Sequence, residues 1–98
     1  MRPHKLDDRE LALALAGLPD WRLLDDRAAI SRQFRFKDFN AAFSFMCRVA
    51  MMAEKLDHHP EWSNVYNRVD VVLSTHDANG ITELDVKLAQ FCDVALQQ

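Results

Sequence analysis

At 98 residues, about half of them hydrophobic, the chain has the length of one small domain over residues 1–98, with a core just large enough to fold alone and a stability that association would help. A formal net charge of -3, with no run of Lys or Arg, is the wrong electrostatic footprint for a protein that holds nucleic acid by its phosphates. The apolar run LALALAGL follows DDRE and is too short for a membrane span or a signal segment, so a cytoplasmic protein away from any membrane is expected.

In chain order, the first signal is DDRELALALAG: Asp7 followed three residues later by Glu10 resembles a capping box, and Gly17 with Pro19 closes the short helix it opens. WRLLDD and AAISRQFRF then read as a β-hairpin, in which Ser31, Gln33 and Arg35 alternate with Ile30, Phe34 and Phe36 and Arg32 alone breaks the pattern. Asp38 can cap a long helix through Leu56. Pro60 forbids its continuation, which leaves His58 and His59 just past a helix C-terminus. NVYNRVDVVLSTH follows as β-structure, with Val69, Val71, Leu73 and Thr75 on one face and Asp70, Val72, Ser74 and His76 on the other. HDANG is a turn, and TELD, Thr82 to Asp85, is a second capping box opening a helix that buries Leu84, Leu88, Phe91, Cys92 and Ala95.

The order α-β-β-α-β-β-α, with strands in hairpin succession, points to an α+β fold: a four-stranded antiparallel sheet with three helices packed on one face. In the middle helix, apolar residues from Phe39 to Leu56 spread over roughly 220° of the circumference, more than one sheet can cover. A subunit interface is the expected use of the excess, in a homodimer or homotetramer with contacts from residues such as Phe45, Val49 and Met52. Cys47 and Cys92 are expected to be buried free thiols.

The stretch EKLDHHPEW carries the chemistry. Glu54 lies four residues before His58, so the two would meet on one helix face, where the carboxylate and the helix C-terminal dipole both complement an imidazolium. His59 would point elsewhere, His76 could return to the same place from a strand end, and Pro60 and Trp62 offer flat apolar surface. Such a set suits a planar, heteroatom-rich ligand whose chemistry is proton transfer. Taken singly the residues are unremarkable: Glu54 with His58 would be a surface pair, His76 a turn residue, His4 a solvated one. Three imidazoles could also hold zinc, but adjacent histidines seldom wrap one ion and no His-x-His or His-x-x-x-His spacing is present, so no metal is expected.

The longer stretch EKLDHHPEWSNVYNRVDVVLSTHDANGIT, Glu54 to Thr82, resembles the signature of the pterin-4a-carbinolamine dehydratases, most specifically in HHP, the following Trp62, NVYN and STHD. The resemblance implies a lyase that removes water from 4a-hydroxytetrahydropterin, the adduct released by aromatic amino acid hydroxylases, to give quinonoid dihydropterin, with no metal or cofactor. It matches His58, His59 and His76 to the family's catalytic histidines, and it makes Glu54, Asp57, Pro60 and Trp62 the substrate-binding residues. His58 and His76 are then expected as the proton-transfer pair, His59 as a pterin ligand, Glu54 as the group that orients and charges His58, and Trp62 as a wall. The resemblance implies an alternative as well: animal members also act as a dimerisation cofactor of a transcription factor, through the helical surface that otherwise joins subunits.

Overall fold

The computed structural model describes residues 3–97. Helix α1, Asp8–Ala16, is opened by the expected capping box: the Asp7 carboxylate accepts from the Glu10 amide at 2.8 Å and the Glu10 carboxylate accepts from the Asp7 amide at 2.9 Å. Strands β1, Arg22–Leu23, and β2, Ile30–Arg35, form the first hairpin. Helix α2, Phe39–Leu56, is capped by Asp38, whose carboxylate accepts from the Ala41 amide at 2.8 Å. Strands β3, Glu61–Val65, and β4, Arg68–Leu73, form the second hairpin, and helix α3, Glu83–Ala95, opens with the capping box of Thr82 and Asp85. The sheet runs β1-β2-β4-β3 with every neighbour antiparallel, and β2 pairs β4 from Ile30 opposite Leu73 to Arg35 opposite Arg68.

That register puts Ile30, Phe34, Val69, Val71 and Leu73 on the face that meets the helices, all buried. Ala42, Phe45, Val49 and Ala53 of α2 and Leu88, Ala89, Cys92 and Ala95 of α3 close over them. The Phe45 ring lies 4.7 Å from that of Phe34 and 5.1 Å from that of Phe36. Burial pushes the Cys92 thiol up to about 12, so it is a neutral packing group. Arg32 departs from strand alternation because it has a partner across the core: its guanidinium lies 4.5 Å over the Phe34 ring and donates to Asp93 of α3 at 2.7 Å. The same Asp93 oxygen accepts from the Trp21 indole at 2.8 Å. Among the described residues no helix is long and apolar enough to cross a membrane.

Two expectations need correction. Phe45 and Val49 are fully buried against the chain's own sheet and cannot contribute to an interface, and Met52 is half-buried. The apolar surface left over on α2 is the row Phe39, Phe43 and Met51, at 48%, 51% and 69% exposure, with exposed Cys47 between them. These positions recur every four residues, so they form one ridge on the side away from the sheet. Cys47 is therefore not the buried thiol expected. Because Phe45 fills the junction of three aromatic rings, Phe45→Ala should destabilise the fold by about 3–5 kcal/mol in urea denaturation. A loss below about 1 kcal/mol would show that the ring is not part of the packed centre.

Candidate active site

The two consecutive histidines take opposite directions because of how α2 stops. Asp57 adopts a left-handed conformation, φ 51° and ψ 45°, and its amide donates to the Glu54 carbonyl at 3.1 Å while the His58 amide reaches back to the Ala53 carbonyl at 3.0 Å. This pair of reversed bonds satisfies carbonyls that the helix would otherwise leave open, and Asp tolerates the left-handed region better than most side chains. The helix thus ends three residues before Pro60, at Asp57.

His58 turns inward and is only 9% exposed, with Nε2 2.5 Å from Asp85 Oδ1. His59 turns outward, and its Nε2 meets Glu54 Oε1 at 2.9 Å between two exposed side chains. The expected partnership of Glu54 with His58 is therefore not made. Glu54 serves His59, and the carboxylate on His58 comes from α3.

Asp85 is fully buried and does three things at once. Its Oδ1 takes His58, while its Oδ2 accepts from the Thr82 amide at 2.9 Å and from the Thr75 hydroxyl at 2.8 Å. Thr75 and Thr82 hydroxyls lie 2.8 Å apart, and the Leu84 amide donates to the Thr82 hydroxyl at 3.2 Å. Donors and acceptors can be assigned along this chain without conflict. Leu84 N–H donates to Thr82, the Thr82 hydroxyl to Thr75, and the Thr75 hydroxyl to a carboxylate that only accepts. His58 then donates from Nε2, and in the neutral tautomer Nδ1 is the nitrogen that accepts. Sequence reasoning saw Asp85 only as a helix cap. The available signal was an acid in the inward row of α3, three and seven positions before Leu88 and Cys92.

His76 arrives from the far side. Thr75 pairs with Gly80 in an isolated bridge, and the residues between them form the 3-10 turn His76–Ala78, with Asn79 left-handed at φ 56°. The loop leaves the His76 side chain 86% exposed, with Nε2 3.8 Å from Glu61 Oε2. His58, His59 and His76 together line an open cleft of about 250 Å³, with Asp57, Ser74, Thr75 and Asp77. Pro60 and Trp62 are not among its lining residues. Trp62 instead stands opposite Val71 on the helix side of β3, packed against the core. Among the described residues no three His, Cys, Asp or Glu side chains are gathered as a metal ion would require.

Known proteins similar to this chain match it over most of its length. The family model for pterin 4 alpha carbinolamine dehydratase matches residues 4–95. A Bordetella avium protein named "Putative pterin-4-alpha-carbinolamine dehydratase" is 64% identical over 89 residues, covering 91% of this chain and 82% of the relative. A Burkholderia vietnamiensis protein of the same name is 60% identical over 90 residues, covering 92% and 88%. Among solved structures, a transcriptional coactivator/pterin dehydratase from Brucella melitensis superposes with a TM-score of 0.92 at 53% identity, over 95% of this chain and 99% of that one. With matches of that extent and identity, the chain belongs to the pterin 4 alpha carbinolamine dehydratase family.

Proposed function

We propose that the protein dehydrates 4a-hydroxytetrahydropterin to quinonoid dihydropterin and water, by acid and base catalysis shared between His58 and His76, with His59 holding the pterin. The observation that carries this reading is the buried Asp85 carboxylate on His58, which turns one imidazole of a three-histidine cleft into an oriented base. In the reaction the N5–H bond and the C4a–O bond break, a C4a=N5 double bond forms, and the hydroxyl leaves with an added proton as water. Hydroxide is a poor leaving group, so a proton must arrive at oxygen as another departs from nitrogen. His58 Nδ1 takes the N5 proton while Asp85 holds the ring. His76, exposed beside the Glu61 carboxylate, delivers the proton to the leaving oxygen. His59, steadied by Glu54, binds the pterin edge. A cytoplasmic enzyme that returns the product adduct of an aromatic amino acid hydroxylase to the tetrahydrobiopterin cycle fits this chemistry and the two free thiols.

The test is stopped-flow dehydration of enzymatically generated adduct by metal-free protein. The carbinolamine also dehydrates unaided, so each lost acid or base should remove a factor of about 10² to 10⁴ without abolishing product. His58→Ala and His76→Ala should lower kcat, and His59→Ala should mainly raise KM. Asp85→Asn should lower kcat by about 10-fold or more with little change in KM, because an amide cannot accept from His58, Thr75 and Thr82 together. Full activity in the His58→Ala, His76→Ala double variant would overturn the assignment, and activity lost on chelation would replace it with metal catalysis.

The ridge Phe39, Phe43 and Met51 favours assembly, as a homodimer or homotetramer in which these side chains meet a second copy of α2. The same ridge supports the second reading, a protein-binding dimerisation cofactor, which has no use for the buried Asp85–His58 pair and predicts no turnover. Light scattering should show an oligomer that Phe43→Glu with Met51→Glu dissociates, since each charge would be buried without a partner. A monomeric unmodified protein would refute the assembly.

A further inference from the structure

The His76 side chain has little of its own to hold it. It is 86% exposed, and its Nε2 lies 3.8 Å from Glu61 Oε2, beyond hydrogen-bond reach. Its position therefore comes from the backbone of the loop that carries it. That loop is closed at its base by two bonds: the Thr75 amide donates to the Gly80 carbonyl at 2.9 Å, and the Gly80 amide to the Thr75 carbonyl at 3.3 Å. Inside it, the Asn79 amide donates to the His76 carbonyl at 3.0 Å. The two feet are anchored differently. Thr75 is buried and donates its hydroxyl to Asp85 at 2.8 Å, so this foot is fixed to the same carboxylate that holds His58. Gly80 has no side chain with which to make such a contact.

Its anchor comes from the other end of the sequence. The arm ahead of α1 runs past the loop, and the Leu6 amide donates to the Ile81 carbonyl at 2.8 Å, with Leu6 half-buried against the core and Ile81 buried in it. This bond sets the register of the arm, and the Asp7–Glu10 capping box that follows ties the arm to α1. In that register the stem of Lys5 crosses Gly80. At the point where a Cβ on Gly80 would stand, Lys5 Cγ, Cδ and Cε lie at 3.0, 2.9 and 2.7 Å. Gly80 is buried and Lys5 is exposed, as when a long side chain lays its methylenes on a surface and keeps its ammonium in water. Gly80 does not have a positive φ, so glycine serves here for close approach and not for turn geometry.

Resting on the dehydratase reading above, in which His76 delivers the proton to the leaving oxygen, we infer that Lys5 is a positioning residue for His76: its stem pins the Gly80 foot of the loop as Asp85 pins the Thr75 foot. A general acid must stay within hydrogen-bond reach of the atom it protonates. A misplacement of about 1 Å can cost about 10²-fold in rate, and loosening one of two feet should cost less, about 10-fold. His58 and His59 are held by Asp85 and Glu54 without help from the arm. The loss therefore falls on proton delivery and not on pterin binding. The contact is made by methylenes, so the ammonium has no part in it beyond keeping the end of the side chain in solvent.

The test pairs stopped-flow dehydration with amide hydrogen exchange on the full chain. Lys5→Ala should lower kcat by about 10-fold with KM within about twofold of native, and should speed exchange of the Thr75 and Gly80 amides. Lys5→Met keeps the stem without the charge and should restore both. Gly80→Ala, whose methyl would meet the Lys5 stem first, should match Lys5→Ala, and the double variant should be no slower than either alone, because both changes remove one contact. A merely structural role predicts lower thermal stability with kcat unchanged, and that result in Lys5→Ala overturns the inference while native turnover keeps the dehydratase reading intact. Equal loss of kcat in Lys5→Met, additive losses in the double variant, or unchanged exchange at Thr75 and Gly80 also overturn it. Absence of turnover in the native protein overturns both readings.

Discussion

A buried carboxylate sets the terms for this structure. Asp85 has no exposed surface, and His58, Thr75 and the Thr82 amide are arranged around its two oxygens. It receives hydrogen bonds from the start of its own helix, from Thr75 just beyond β4, and from His58 just beyond α2. Removing one partner of such a charge costs about 3–5 kcal/mol, because what remains is an uncompensated ion. That constraint joins three elements distant in sequence at one point, the back of the cleft. A site assembled this way inherits the rigidity of the capped helix and of the sheet, which general acid and base chemistry needs in order to keep a nitrogen aimed at one proton.

Much of the fold was legible because its signals are local. Asp7 with Glu10, Asp38, and Thr82 with Asp85 announce three helix starts from side chains that bond to backbone within three residues. The alternation of Val69, Val71 and Leu73 likewise survives into the structure, since the pleat enforces it. The errors arose where an outcome depends on long-range contact or on phase. Spacing by four made Glu54 and His58 look like partners, but that rule holds only while the chain stays helical, and the left-handed Asp57 intervenes. The width of the apolar arc on α2 was right and its division was wrong. Periodicity gives the arc's extent, whereas only the sheet's position decides that Phe45 and Val49 face inward and Phe43 and Met51 outward. Arg32 seemed misplaced in its strand because Asp93, its partner, lies 61 residues away.

The candidate site divides in the same manner. All three histidines were visible as a set, since their proximity in one cleft follows from a helix end and a strand end that the sequence marks with Pro60 and with the HDANG turn. The identity of the group that controls His58 was not visible. Asp85 has a complete local explanation as a cap, and a residue with one sufficient role gives no sequence signal for a second. Trp62 shows the converse. An aromatic next to a histidine pair looks like a binding wall, yet strand alternation places it on the core side of β3 while Glu61, one residue earlier, faces the other way toward Arg27.

The use of two adjacent histidines follows from these constraints. A single histidine can be buried and oriented, or exposed and mobile, but not both, because the hydrogen bond that orients it also removes it from solvent. The dehydration proposed above would use a fixed base beside the ring nitrogen and a binding group open to the arriving pterin. One left-handed residue between the helix and the histidines rotates successive side chains to opposite sides, so a single turn of backbone supplies both environments. His58 takes the interior, held by a buried acid, and His59 takes the surface, held by an exposed one. Pro60 then directs the chain out of the turn and into β3, where extended geometry is required at once. The sequence HHP is thereby a compact solution to a geometric problem: two imidazoles on consecutive residues, one buried and one exposed, lining the same cleft.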